Sequence, residues 1–328
     1  MSYREPVKRL LFISEVIILL IVGGAYFFRT SLADAQTTTA VMGVFQGITP
    51  CSGTDRPLPQ IPPGTNCEQM IWEITFYQNA ETGEPATYQL DAAYGLSQPN
   101  TTGLRGGGTP INLEGDWRIV EGMAVDMAAI VYELNPDTPE SALYFVKLDD
   151  NLLHVLSPEK RLMVGNGGWS YTLNRTDQRN EAQPISLPVE PVTSPVAISM
   201  PGVFEGRMPC ADLVVEFTKF PADPACIKIK MRLTLNRDLR TGEPMTYFLQ
   251  GTETTREGTW TESLGTPVHP NGLVYRLALD TPERFIAFLR MDDNHLFLLD
   301  ENFHLMVGDA LWSYTLSRNA ELSAKMNP

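Results

Sequence analysis

Ile227-Lys228-Ile229-Lys230-Met231-Arg232-Leu233-Thr234-Leu235 alternates apolar and polar side chains at every step. A period of two marks a β-strand with one buried and one wetted face. Antiparallel sheet accepts that one-sided burial. The odd-numbered residues are therefore assigned to a core and the Lys and Arg side chains to the surface. Further strands are expected at 273–279, 284–291, 295–299 and 311–316. Asp293-Asn294 stands where a tight hairpin turn needs such residues.

This strand belongs to a unit that is written twice. Gly43-Val44-Phe45 recurs as Gly202-Val203-Phe204, Pro50-Cys51 as Pro209-Cys210, Cys67 as Cys226, and Thr82-Gly83-Glu84-Pro85 as Thr241-Gly242-Glu243-Pro244, all 159 residues apart. Later matches lie 143 apart: Glu114-Gly115-Asp116-Trp117 with Glu257-Gly258-Thr259-Trp260, Asp149-Asp150-Asn151 with Asp292-Asp293-Asn294, Leu162-Met163-Val164-Gly165 with Leu305-Met306-Val307-Gly308, and 169–173 with 312–316. The first copy thus holds 16 extra residues between Tyr88 and Glu114, a Gly-rich stretch expected to be an exposed loop. Its strand equivalent to 227–235 puts Met70, Trp72, Ile74 and Phe76 on the inner face. About eight strands per copy suit a small closed barrel, which removes exposed edges. The expected organisation is a tether at 36–42, a first barrel at 43–176, a Pro-rich linker at 177–201, a second barrel at 202–318 and a tail at 319–328.

Cys51 and Cys67 are 16 residues apart, as are Cys210 and Cys226. Four cysteines allow three pairings, and the repeat favours one bridge inside each copy. An oxidising compartment keeps such bridges intact. Metal or redox use of Cys51, Cys67, Cys210 and Cys226 is the competing reading.

Gly202-Val203-Phe204-Glu205-Gly206-Arg207-Met208-Pro209-Cys210-Ala211-Asp212, followed by Leu233-Thr234-Leu235, Glu257-Gly258-Thr259-Trp260 and Tyr314-Thr315-Leu316, resembles the NlpE N-terminal domain family. That family groups bacterial envelope lipoproteins linked to copper resistance and surface-sensing stress signalling. The resemblance covers both copies and implies lipocalin-like barrels. This chain departs from the family in two places. Where the family carries Cys-x-x-Cys, Asp212 is followed by Leu213, and Cys226 stands at the second cysteine after an insertion. The lipoprotein cysteine is also missing. The resemblance therefore carries the fold further than the copper chemistry.

Arg4, Lys8 and Arg9 precede an apolar run over 10–28, broken only by Ser14 and Glu15. A run of that length, at about 1.5 Å per residue, just spans a hydrocarbon core. The basic flank predicts a cytoplasmic N-terminus with the remainder exported. Residues 1–35 are thus expected to be a single-pass signal anchor in a bacterial inner membrane, with the bulk of the chain in the periplasm. Ala33-Asp34-Ala35 before Gln36 also has the form of a signal-peptidase site, so a cleaved signal peptide is the alternative. The whole fold class is then all-β: two tandem small antiparallel, lipocalin-like barrels behind one N-terminal transmembrane helix.

The 328 residues carry a formal net charge of −14. Such a chain lacks the basic footprint that displaces counterions from phosphates, so nucleic acid is not an expected partner. No nucleophile elbow, zinc-protease helix or phosphate loop occurs. The Asp149-Asp150 and Asp292-Asp293 pairs lack the alternating oxygen ligands and distal Glu of a calcium loop. His154, His269, His295 and His304 are each replaced by another residue at the equivalent position of the other copy, and a site inherited by both would keep its ligands. Met163 and Met306 are shared among apolar neighbours and read as packing. No catalytic residue and no cofactor is expected.

These features point to a non-catalytic, membrane-anchored periplasmic docking protein, an accessory subunit of an inner-membrane assembly such as a respiratory or photosynthetic complex. Its expected partners are the other subunits and, through the N-terminal helix, the bilayer. The copy-specific segments 52–66, 97–111 and 211–225 would carry docking, with Arg56, Leu58, Ile61, Leu104, Arg105, Leu213, Phe217 and Phe220 as candidate contacts. The alternatives are a copper or envelope-stress sensor using the cysteines, and a lipocalin-like carrier of an apolar ligand.

Overall fold

The computed structural model describes residues 38–52, 56–124, 126–178, 202–210, 227–252, 255–281 and 283–326. Sixteen strands form two closed antiparallel barrels. The first is built from β1 (Thr39–Pro50), β2 (Gln69–Asn79), β3 (Pro85–Gly95), β4 (Thr109–Met123), β5 (Asp126–Leu134), β6 (Leu143–Lys147), β7 (Leu152–Leu156) and β8 (Thr172–Arg175). The second comprises β9 (Gly202–Pro209), β10 (Lys228–Arg237), β11 (Pro244–Gln250), β12 (Thr255–Leu264), β13 (Leu273–Ala278), β14 (Phe285–Asp292), β15 (His295–Leu298) and β16 (Thr315–Arg318). In both, strands pair in sequence order and the last closes on the first: Phe45 faces Arg175 across β1–β8, and Phe204 faces Arg318 across β9–β16. A short helix, α1 (Ala320–Lys325), follows β16 and is capped by the Asn319 side chain.

Alternation places the core as the sequence requires. Met70, Trp72, Ile74 and Phe76 are buried, as are Ile229, Met231, Leu233 and Leu235. Ile227 departs from the pattern: it precedes β10, is 67% exposed, and has no strand to turn it inward. The strand expected at 311–316 starts only at Thr315. The Asp309 carboxylate accepts from the N–H groups of Leu311 and Trp312, which bends that stretch into a turn. The 16 extra residues of the first copy are only partly a loop. They lengthen the β3–β4 hairpin to strands of 11 and 15 residues, against 7 and 10 for β11 and β12.

The repeated motifs have local causes. In Glu-Gly-x-Trp, a Cβ on Gly115 or Gly258 would lie 3.2 or 2.9 Å from the ring of Tyr88 or Tyr247. The glycine lets that ring pass beneath the strand. Trp117 and Trp260 donate their indole N–H to the carbonyls of Tyr77 and Asn236, tying β4 to β2 and β12 to β10. In Gly-Val-Phe, the Phe45 and Phe204 rings lie under the Arg175 and Arg318 guanidinium groups, at 5.8 and 5.7 Å. Those arginines donate to the carbonyls of Asp150 and Asp293 in the β6–β7 and β14–β15 turns. One cation thus joins the first strand, the last strand and a hairpin turn at the same rim of each barrel.

Both interiors are filled. Phe76 makes edge contacts with Phe45, Trp117, Tyr132 and Phe145 at centroid distances of 5.0–6.4 Å. In the second barrel Arg237 lies over Trp260 at 4.5 Å and pairs with Glu262, plugging one end. The void beside Phe204, Leu235 and Trp260 is about 10 Å³, room for one water at most.

Candidate functional site

The segments expected to dock a partner separate into inward and outward parts. Cys51 and Cys67 form a disulfide with their Cα atoms 5.4 Å apart. The bridge draws the intervening loop over the barrel mouth, where Leu58 and Ile61 are buried in the first core. Leu104 is likewise buried, beneath the tip of the β3–β4 hairpin. These three side chains face the protein rather than a partner. Arg56 holds the loop by donating to the carbonyl of Pro62 at 2.6 Å, and exposed Arg105 donates to Ser97 at 3.1 Å. Leu213, Phe217 and Phe220 lie outside the described residues, as does the expected membrane anchor. Among the described residues no helix is long and apolar enough to cross a membrane. Cys210 is disulfide-bonded, and Cys226 lies outside the described residues. A cystine offers no thiolate, the form that binds soft metals.

The two barrels meet in a seam. Val131, Val146, Leu156 and Leu162 of the first barrel bury against Val274, Leu289, Leu299 and Leu305 of the second. These are equivalent residues, 143 apart. Ser170 bonds Ser313 at 2.7 Å and Thr172 bonds Thr315 at 3.0 Å, again pairing equivalents. In an isologous interface only residues on the symmetry axis meet their own equivalents, so a local two-fold axis passes between Thr172 and Thr315. Asn174 accepts from the Gly308 N–H and donates to the carbonyls of Asp309 and Trp312. Gly165 and Gly308 are required here: a Cβ would fall 2.5 and 2.0 Å from the carbonyls of Trp169 and Trp312 in their own barrels, and 2.7 and 2.9 Å from Ser317 and Asn174 across the seam.

A polar cluster breaks the symmetry of the seam. His154 and His295 are fully buried, their rings 5.0 Å apart and edge-on. Both direct Nε2 at one acceptor, the carbonyl of Met163, at 3.0 and 3.1 Å. His154 Nδ1 meets the Thr172 hydroxyl at 3.0 Å, and His295 Nδ1 meets an Asp292 carboxylate oxygen at 2.8 Å. Both nitrogens of His295 thus face oxygens, one from each barrel. Burial, and secondarily the neighbouring His295, pushes the His154 pKa down to about 3.

Two equivalent carboxylates here respond oppositely. Asp149, in the β6–β7 turn, is pushed up to about 6 by burial, partly offset by the Asn151 N–H. Burial would also raise Asp292, but the His295 hydrogen bond and charge outweigh it and hold its carboxyl below the ordinary range. The first barrel has Leu152 where the second has His295. His269 is buried in the β12–β13 turn, and His304 lies 3.5 Å from Asp300. No group of three or more metal-ligating side chains occurs among the described residues.

Beside the seam, a cleft of about 940 Å³ is walled by the cysteine loop at Arg56 and Pro59, the turn after β7 at Arg161, and Asp293 of the second barrel.

The fold and the seam define a class: a fused pair of closed eight-stranded antiparallel barrels clasped about a local two-fold axis. No family model, curated protein or solved structure matches the chain.

Proposed function

We propose that this chain is a non-catalytic docking protein of the bacterial envelope, anchored in the inner membrane by residues 1–35 and serving as an accessory subunit of a larger membrane assembly. The observation that carries this reading is the filled interior of both barrels. A carrier needs an enclosed cavity lined largely by apolar groups, whereas Trp72, Phe76, Trp117, Tyr132 and Phe145 occupy the first interior. A copper sensor needs free thiolates, and Cys51 and Cys67 are joined. What remains for a partner is the exterior of a stiff body stapled by cystine and seam. The likeness to the NlpE N-terminal domain family belongs to this proposal as the source of a lipocalin-like ancestry.

The test is mild detergent extraction of native membranes, then size separation and intact-mass analysis. The reading requires the uncut chain, lighter by four hydrogens for two cystines, migrating in a large assembly. A solitary soluble species beginning at Gln36 with free thiols would contradict it.

A further inference from the structure

The outer face of β9 and β10 carries a group of cations with no counterpart in the first copy. Across the β9–β10 ladder Lys230 stands directly opposite Arg207, and Arg232 opposite Glu205. Glu205 is already engaged, accepting from Arg232 at 2.5 Å and from Asn319 at 2.6 Å. Among the described residues no ion pair engages the side chain of Arg207 or Lys230. Like charges directly opposite on adjacent strands destabilise a sheet, and here that cost is built into the barrel wall.

The setting is that of a site. Arg207 lies over the indole of Trp169 at 5.2 Å, and Lys228 over Trp312 at 4.9 Å. The two tryptophans are equivalent residues, one from each barrel, so the seam supplies an aromatic platform beneath the cations. Arg207 Nε is buried without a hydrogen-bond partner. Burial lowers the Arg207 pKa, and burial followed by Arg207 and Lys230 lowers that of Lys228; a nearby anion would relieve both. The adjoining cleft of about 420 Å³ is lined by Arg207, Lys230, Arg232, Gln250 and Thr252, and also by Glu205, the carboxylate already paired with Arg232. The Thr252 hydroxyl oxygen accepts the Lys230 N–H at 3.1 Å, leaving its own hydrogen to donate.

The first copy is an internal control. At the positions of Arg207, Lys228, Lys230 and Arg232 it has Ile48, Gln69, Ile71 and Glu73. The barrel therefore forms without these cations, and folding alone does not explain them in a chain of net charge −14.

We propose that this cleft binds a phosphate-type anion between Arg207 and Lys230, with Lys228 adjacent. A guanidinium and an ammonium meeting one small anion give charge-assisted hydrogen bonds on two sides. The phosphate group would come from a soluble phosphate compound or from a phospholipid headgroup. This site does not depend on the docking role.

The test uses the full-length chain and its tryptophan emission, since Trp169 lies beneath Arg207. Inorganic phosphate is titrated at constant ionic strength against chloride. In parallel, the chain is reconstituted into phosphatidylcholine vesicles with and without phosphatidylglycerol. Lys230→Ile installs the residue of the first copy, and Arg240→Gln removes an exposed cation elsewhere on the same barrel. The Lys230→Ile chain should fold at least as stably without ligand, because a repulsion is gone. Its response should weaken by about tenfold or more, the loss of one charge-assisted contact, while Arg240→Gln responds as the parent does. A response to inorganic phosphate assigns a soluble ligand; a response to phosphatidylglycerol alone assigns a headgroup. The proposal is overturned if neither probe gives a response that Lys230→Ile weakens, or if chloride matches phosphate.

Discussion

Replacing His295 by leucine makes the second copy identical to the first at this position and isolates one electrostatic interaction. In the native chain an Asp292 carboxylate oxygen lies 2.8 Å from His295 Nδ1, and its carboxyl is held below the usual range. Such a group contributes stability that is complete above the unfolded pKa near 3.8 and is lost as pH falls through the folded value. In His295→Leu the environment of Asp292 becomes that of Asp149, whose pKa is pushed up to about 6 by burial. The sign then reverses. The unfolded carboxyl ionises near 3.8 while the folded one resists until about 6, so stability drains away as pH rises through that interval. A displacement of about two pKa units corresponds to about 3 kcal/mol. His154 does not confuse the comparison, because burial keeps its folded pKa near 3 in the native chain and its unfolded titration is common to both proteins. The assay is urea denaturation at closely spaced pH values from 4 to 8, compared as a difference between variant and parent. The gap should widen by about 3 kcal/mol between pH 4 and 6.5. A gap independent of pH would refute the pairing of Asp292 with His295.

Other expectations follow from packing and covalent ties. Phe76→Ala removes the ring on which four aromatic neighbours converge and should cost about 3–5 kcal/mol in chemical denaturation. Reducing Cys51–Cys67, which closes a separation of 16 residues, should cost about 3 kcal/mol and expose the cysteine loop to limited proteolysis. Asn174→Ala leaves the Gly308 N–H and two carbonyls without their seam partner. It should cost about 2–3 kcal/mol and split a single calorimetric transition into two.

What the sequence revealed, and what it concealed, follow from the range of the interactions involved. The alternation in 227–235 and the double set of motifs suffice for two eight-stranded barrels, because strand faces are set by local period. Where alternation runs past the strand it misleads, as at Ile227, and side-chain turns such as that of Asp309 are easily read as strand. The cysteine spacing indicated a bridge, yet not that the bridge would turn Leu58 and Ile61 inward over the barrel mouth. The seam was concealed for a geometric reason. Comparing each histidine with its equivalent in the other copy pairs His154 with Phe297 and His295 with Leu152. An isologous contact instead brings unlike positions together around the axis, so His154 meets His295. Arg175 and Arg318, which join both ends of each barrel to a turn, were visible as shared residues two positions after the shared Leu173 and Leu316. Their role needed the register across β1–β8 and β9–β16.

The central structural claim is that the two copies form one body about an axis between Thr172 and Thr315. Their hydroxyl oxygens are 3.0 Å apart, so cysteines placed at both positions would bring two sulfurs within bonding reach. The Thr172→Cys, Thr315→Cys chain should close an internal disulfide under mild oxidation, losing two further hydrogens by intact mass without loss of the native fold. Two thiols that stay free, or that link only between molecules, would contradict the account.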